Sequence, residues 1–251
     1  MKNLIFVVCH KKYSVPSIEP YKSISVGAQR DSVSSFWTDN TGDNIADKNP
    51  NYCELTAQYW IWKNVSKVYN SIGLCHYRRY FAKSKIKRFS LLDDSTIDVY
   101  LKTSDIILPE KWYWSVTVYE NYFKHGCGKE KDLIITRQVI EDIYKDYIPS
   151  FEKVLSRNCA SYCNMAIMKT NDFNNYNEWL FKILGEVQNR VDISNYNKAE
   201  ARIFGYLSEI LLNVWVEHNH YKVKYLPMIE TELSIYKKMR KDIKNLCKKY
   251  V

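Results

Sequence analysis

Ile72-Gly73-Leu74-Cys75-His76-Tyr77-Arg78-Arg79-Tyr80-Phe81 is a β-rich run that stops abruptly in one imidazole and two guanidinium groups. Buried strands do not ordinarily end this way, because unpaired charge is costly away from water. Further β-rich runs surround it: Leu4 to Cys9, Ser23 to Val26, Asp105 to Leu108, Tyr162 to Met168 and Lys222 to Leu226. Between them lie segments with apolar positions at helical spacing: Tyr52 to Val68 (beginning at Asn51), Asp132 to Lys145, Asn171 to Asn189 and Ala199 to Glu217. Strand and helix in alternation predict an α/β domain with a mostly parallel central sheet flanked by helices. In such sheets the loops leaving the carboxyl ends of the strands form the ligand crevice, so the residues after each strand carry the functional reading.

At 251 residues, 46% of them apolar, the chain is long enough to bury a substantial core. With 21 Tyr and 7 Trp against 7 Gly and 6 Pro, it reads as a packed domain with amphipathic aromatic surfaces, equally suited to a core and to sugar faces. Seven cysteines, odd in number and without a CxxC pair, predict reduced thiols and neither a disulfide framework nor a zinc site. Only six apolar residues follow Lys2 before His10-Lys11-Lys12, too few for a signal or spanning segment, and a cytoplasmic location is expected. The net charge of +9 is concentrated in residues 237–251, where seven basic residues face Asp242 alone, a net +6. That distribution weakens a nucleic-acid reading, in which the charge would lie on the folded face.

Two parts are expected: residues 1–230 as the functional domain and residues 231–251 as a basic C-terminal helix. In the latter, Tyr236, Met239, Ile243, Leu246 and Tyr250 recur every three or four positions. The pattern fits a helix lying on the anionic inner leaflet of a membrane, and equally a solvated helix packed by its apolar face.

Adjacent arginines at a strand's carboxyl edge offer forked donors matched to phosphate oxygens. Alternatively, Arg78 pairs with a carboxylate and Arg79 faces solvent, or the reverse. The first strand ends in Cys9-His10-Lys11-Lys12, with Tyr13 as an aromatic partner, again placing donors at this edge. Neither GxGxxG nor GxxxxGK[ST] follows, which removes the main support for dinucleotide and P-loop readings. The loop Asp39 to Asn44 and Asn49-Pro50-Asn51 feed the helix from Tyr52, where Glu54 completes an N-terminal cap or accepts from sugar hydroxyls. His125 and Asp132 flank a Lys-rich turn, Asn164 lies in the expected strand Tyr162 to Met168, and Glu200 with Arg202 opens the last long helix. A His and a carboxylate are the residue types that take a proton from an attacking hydroxyl.

Glu54-Leu55-Thr56, Tyr59-Trp60-Ile61-Trp62-Lys63-Asn64 and the run Gly73 to Phe81 together resemble a bacterial family encoded in capsule and exopolysaccharide clusters and long described as a domain of unknown function. The resemblance continues through Asn164 to Met168, Glu178 to Phe181 and Ala201 to Gly205, roughly residues 1 to 226. It implies a glycosyltransferase of the GT-A type, some members being linked to galactofuranose transfer. Where GT-A relatives carry a metal-binding Asp-x-Asp, this chain has His76-Tyr77-Arg78, so cationic side chains are expected to replace the metal, with Mn²⁺ or Mg²⁺ not required.

From their places at the strand ends and from the resemblance together, His10, Lys11, Asp43, Asn44, Glu54, His76, Tyr77, Arg78 and Arg79 are expected to bind the donor, and the resemblance implies that Asn164 and Trp179 face the acceptor. His125 and Asp132 are expected near the reaction as residue types that accept a proton, and the resemblance implies Glu200 and Arg202 near the anomeric centre. The expected substrates are a UDP-sugar and a polyprenyl-diphosphate-linked oligosaccharide. The alternatives are a non-catalytic carbohydrate- or nucleotide-binding protein of the same pathway and, from charge alone, a nucleic-acid binder.

Overall fold

The structure is a computed structural model that describes residues 2–87, 89–233, 245 and 247–249. The apolar pattern expected for the C-terminal helix lies outside the described residues. The strands are β1 (Leu4–Cys9), β2 (Tyr21–Ser25), β3 (Trp37–Thr38), β4 (Ser71–His76), β5 (Arg79–Phe81), β6 (Ile106–Pro109), β7 (Trp112–Tyr113), β8 (Cys159–Ala160), β9 (Ile167–Lys169), β10 (Val223–Leu226) and β11 (Met228–Glu230). The α-helices are α1 (Asn49–Tyr52), α2 (Leu55–Asn64), α3 (Asp94–Leu101), α4 (Val118–Glu120), α5 (Glu130–Ile143), α6 (Ile148–Ser156), α7 (Thr170–Arg190) and α8 (Ile203–His218).

The domain expected over residues 1–230 is made of two compact units. The first comprises Met1–Glu110, Met165–Asn177 and Lys222–Ser234; the second holds the remainder. The first unit contains the large sheet, in the order β10-β6-β9-β4-β1-β2-β3. Pairs β1–β2, β1–β4, β2–β3 and β6–β10 are parallel, and β9 runs antiparallel between β4 and β6. The mostly parallel sheet read from the sequence is therefore present. All six residues of β1 are buried, as a strand covered on both faces requires. Leu55, Ile61, Ile97 and Phe173 from α2, α3 and α7 contribute to this core, with the Phe6 and Phe173 rings 6.4 Å apart, edge to face. Gly73 belongs in β4 because a Cβ there would lie 2.5 Å from Ile167 Cγ1 on β9.

Asp93 caps α3, accepting from the Thr96 backbone N–H at 2.9 Å and its hydroxyl at 2.6 Å, and pairing with Lys83. Lys83 foremost, then Thr96, hold its carboxyl well below the ordinary carboxylate range. A depressed folded-state pKa stabilises above the unfolded value of about 3.9 and ceases to do so as pH falls through the folded one. Asp93→Ala should cost about 1 kcal/mol at pH 7, at the modest end because the side chain is 37% exposed. Parallel urea melts should show this difference shrinking steadily below pH 4.

The second unit is mainly helical, with β7 and β8 forming a two-stranded antiparallel ribbon. Its core gathers Tyr147, Trp179 and Trp215, the last two with rings 5.3 Å apart, and His218 stacks on Tyr147 at 3.5 Å.

Two expected elements differ. The strand Tyr162 to Met168 is formed only over Ile167–Lys169, because Cys163 and Asn164 adopt positive φ of 75° and 50°. Glu209 accepts the Cys163 backbone N–H at 2.9 Å and the Asn164 amide bonds into α8, fixing a conformation that Asn tolerates better than most residues. The helix from Asn51 to Val68 is two helices divided at Cys53, φ 54°. Asn49 Nδ2 holds the break by donating to the Cys53 carbonyl at 2.8 Å.

Candidate active site

β4 and β1 run parallel with Val8 opposite His76, so both strands deliver their following residues to one edge. Tyr77 N–H extends the pairing by donating to the Val8 carbonyl at 3.1 Å, and the Tyr80 hydroxyl holds the Tyr77 carbonyl at 2.9 Å. The Tyr77 ring, 3% exposed, becomes the hub of a cluster. Tyr13 and His10 meet it edge to face at 4.8 and 5.0 Å. Lys11 Nζ lies 5.3 Å and Arg78 Cζ 5.6 Å from its centre, distances at which the ring face attracts cations. His10, Lys11, Tyr77 and Arg78, separated by more than sixty residues in sequence, are thus brought together. His76 ends β4, and Arg79 opens β5 directly across from it.

The neighbouring strand ends build a second layer of the same edge. Gly27, at φ +76°, lets Asn49 approach so closely that a Cβ would sit 2.7 Å from Asn49 Oδ1. Asn49 donates to Thr56 at 3.0 Å, and Thr56 to Asp39 at 2.6 Å, with Arg30 Nε 3.2 Å from the other Asp39 oxygen. Asp39 is fully buried, and burial pushes its carboxyl up against the opposing pull of Thr56 and Arg30. The quartet braces the loops after β2 and β3. In the sequence Asp39 reads only as part of a polar loop and Thr56 as part of the helix after it, and no local signal ties Arg30 to either.

Asp43 and Asn44 lie in the loop after β3 and are exposed. Asp43 accepts from the Tyr59 hydroxyl at 3.0 Å, and its backbone N–H and carbonyl pair with the Asn64 side-chain amide, while Asn44 closes the turn onto Gly42 and Ala46. Burial and Asp43 push the Tyr59 hydroxyl up to about 12. Glu54 stands at the N-cap of α2, so it does not complete a cap begun at Asn51.

Three residues expected near the acceptor or the reaction have internal roles in the second unit. Asp132 is fully buried, accepting from Tyr122 Oη at 3.0 Å, from the Lys129 backbone N–H at 2.8 Å and from Tyr196 Oη. Asn164 is 4% exposed and is taken up by the Gly205 carbonyl at 3.1 Å and the Ser208 hydroxyl at 2.9 Å. Trp179 belongs to the aromatic core. Asp132 is fully buried and Asn164 and Trp179 are nearly so, and the contacts named here serve the interior of the second unit. His125 is exposed at the end of the helical turn that follows α4. Glu200 pairs with Lys129 at 3.3 Å and accepts from the Asn197 backbone N–H, which is the first cause of its lowered pKa. Arg202 lies over Tyr206 at 5.6 Å.

Thr231 and Glu232 were missed by sequence reasoning. They follow β11, which pairs antiparallel with β5 and so returns to the Tyr77 cluster. Thr231 N–H donates to the Arg78 carbonyl at 3.0 Å, and its hydroxyl shares a hydrogen bond with Tyr13 Oη at 2.6 Å. Glu232 pairs with Arg78 at 3.0 Å and Lys11 at 3.8 Å. Among the described residues no three His, Cys, Asp or Glu side chains are grouped so as to hold a metal, and no helix is long and apolar enough to cross a membrane.

A mostly parallel sheet with aromatic and basic side chains gathered at its carboxyl edge defines an α/β protein of glycosyltransferase fold. The apo structure of WbbM, a bifunctional glycosyltransferase, matches at a TM-score of 0.84 and 28% identity over 93% of this chain, which spans 46% of that protein. The chain belongs to the family described as a domain of unknown function (DUF4422), which it matches over residues 4–220. The mannosyltransferase Ktr4p from S. cerevisiae matches at a TM-score of 0.42 and 9% identity over 92% of this chain and 70% of its own, too distant to carry an argument. No curated protein sequence matches.

Proposed function

We propose that this chain is a glycosyltransferase that moves a hexose, galactofuranose or galactose, from a UDP-sugar to a lipid-linked oligosaccharide during surface polysaccharide assembly. The carrying observation is the convergence of Lys11, Arg78, His10 and the buried Tyr77 ring at the carboxyl edge of β1 and β4, in a fold shared with a bifunctional glycosyltransferase. In this reading the acceptor oxygen attacks the anomeric carbon, the bond to the diphosphate breaks, and the departing oxygen keeps the electron pair. Lys11 and Arg78 neutralise the charge that develops there, the role a divalent metal fills in other nucleotide-sugar enzymes. The acceptor's proton needs a base. His125 is the candidate expected from the sequence, an imidazole being a residue type that takes a proton from an attacking hydroxyl. A peripheral position on the inner membrane face, through the basic residues 237–251, is part of the same proposal.

Thermal melts against UDP, GDP, CMP and their sugars, each in EDTA and in Mn²⁺, test it. UDP-sugar in hundredfold excess over Kd should raise Tm by roughly 5 °C in EDTA, with transfer detected on a lipid-linked acceptor. Stabilisation only with Mn²⁺ would overturn charge neutralisation by side chains. Binding without transfer or hydrolysis would point to the non-catalytic alternative.

A further inference from the structure

Glu232 occupies the space between the two cations assigned above to the donor diphosphate. Its Oε2 lies 3.0 Å from Arg78 Nη1 and its Oε1 3.8 Å from Lys11 Nζ, so one carboxylate bridges side chains delivered by two different strands. The chain is brought back for this purpose by β11, in register with β5 as Met228 with Phe81, Ile229 with Tyr80 and Glu230 with Arg79. The Thr231 bonds to Arg78 and Tyr13 then fix where residue 232 begins. Glu230 faces Arg79 at 3.8 Å, so each arginine of the adjacent pair meets a carboxylate from the same short segment.

The Glu232 pair is not a buried staple. Lys11, Arg78 and Glu232 are 46%, 39% and 41% exposed, and ion pairs this open to water are individually weak and readily exchanged. A diphosphate carries more charge than a carboxylate and offers more oxygens to the guanidinium fork, so it is the stronger partner for the same two cations.

We infer that Glu232 is an internal anion that holds the diphosphate-binding cations when no nucleotide is bound and competes with the nucleoside diphosphate for them, weakening its retention and hastening its release. The inference rests on the diphosphate reading of Lys11 and Arg78. It explains why a site built to bind anions carries a carboxylate at its centre.

Calorimetric titration of wild type, Glu232→Gln and Glu232→Ala with UDP and with inorganic pyrophosphate tests it. Glu232→Gln keeps the shape of the side chain and removes its charge. Both variants should bind both ligands about three- to tenfold more tightly, with stronger product inhibition by UDP in the transfer assay. Unchanged or weaker binding in the two variants, with wild-type circular dichroism and Tm, would overturn the inference while leaving the diphosphate site standing. Failure of wild type to bind either ligand would overturn both.

Discussion

Arg78→Ala should lower kcat/KM for transfer by about 10²–10³-fold and leave Tm within a degree of wild type. The magnitude is that of removing one preorganised donor from a developing oxyanion. The unchanged stability follows from the side chain's surroundings: Arg78 is 39% exposed, and its charged partner, Glu232, is as open to water. Its fold-supporting contact is made by the backbone, whose carbonyl accepts from Thr231 at 3.0 Å and survives the substitution. Arg78→Lys should recover about tenfold of the loss, because an ammonium restores the charge without the fork. Arg79→Ala should behave differently. Arg79 sits in β5 between β4 and β11, is 27% exposed and faces a Glu230 that is 15% exposed, so its loss should reduce stability along with activity. Steady-state kinetics beside thermal melts separate the two, and near-normal transfer by Arg78→Ala would end the assignment of the diphosphate site.

This division of labour between neighbouring arginines was only half legible in the sequence. The run from Ile72 to Cys75 is apolar, short and bounded by Ser71 and His76, so its strand and its charged end could be read directly. So could β1 and β10, whose expected bounds agree with the structure to within one residue. For β1, buried on both faces, local composition suffices, since each residue must then be apolar. It fails at Cys163 and Asn164, whose positive φ is set by partners more than forty residues away on α8. At Cys53 the break in the helix is set by the Asn49 amide, a short-range bond that helical periodicity does not encode. Glu232 was invisible for a third reason: nothing in Glu230-Thr231-Glu232 marks it as facing a strand edge some 150 residues earlier, and only the pairing of β11 with β5 places it there.

Asp132 shows how a residue of the right chemical type can be assigned to chemistry by proximity in sequence. It follows His125 by a short Lys-containing turn, and a His with a carboxylate is what a proton-transfer reading looks for. The folded chain instead gives Asp132 three donors and no exposure, and burial, followed by the Asp132 charge, pushes the Tyr122 hydroxyl well above its ordinary value. A buried carboxylate with this many partners is a strut between α5, the turn before it and the Tyr196 loop. Asp132→Ala strands the Tyr122 hydroxyl and the Lys129 N–H, each costing about 1–3 kcal/mol when left unpaired in the interior. The expected loss is therefore about 3 kcal/mol, lowering Tm by roughly 6–12 °C for a chain of this size. Asp132→Asn should recover about half, since its amide oxygen still accepts and a hydroxyl can turn to receive its N–H. In both variants kcat/KM per folded molecule should stay within about twofold of wild type below the melting transition, the small change expected of a group that meets no reacting atom. A large fall in kcat with Tm unchanged would return Asp132 to the reaction and show that this strut opens during turnover.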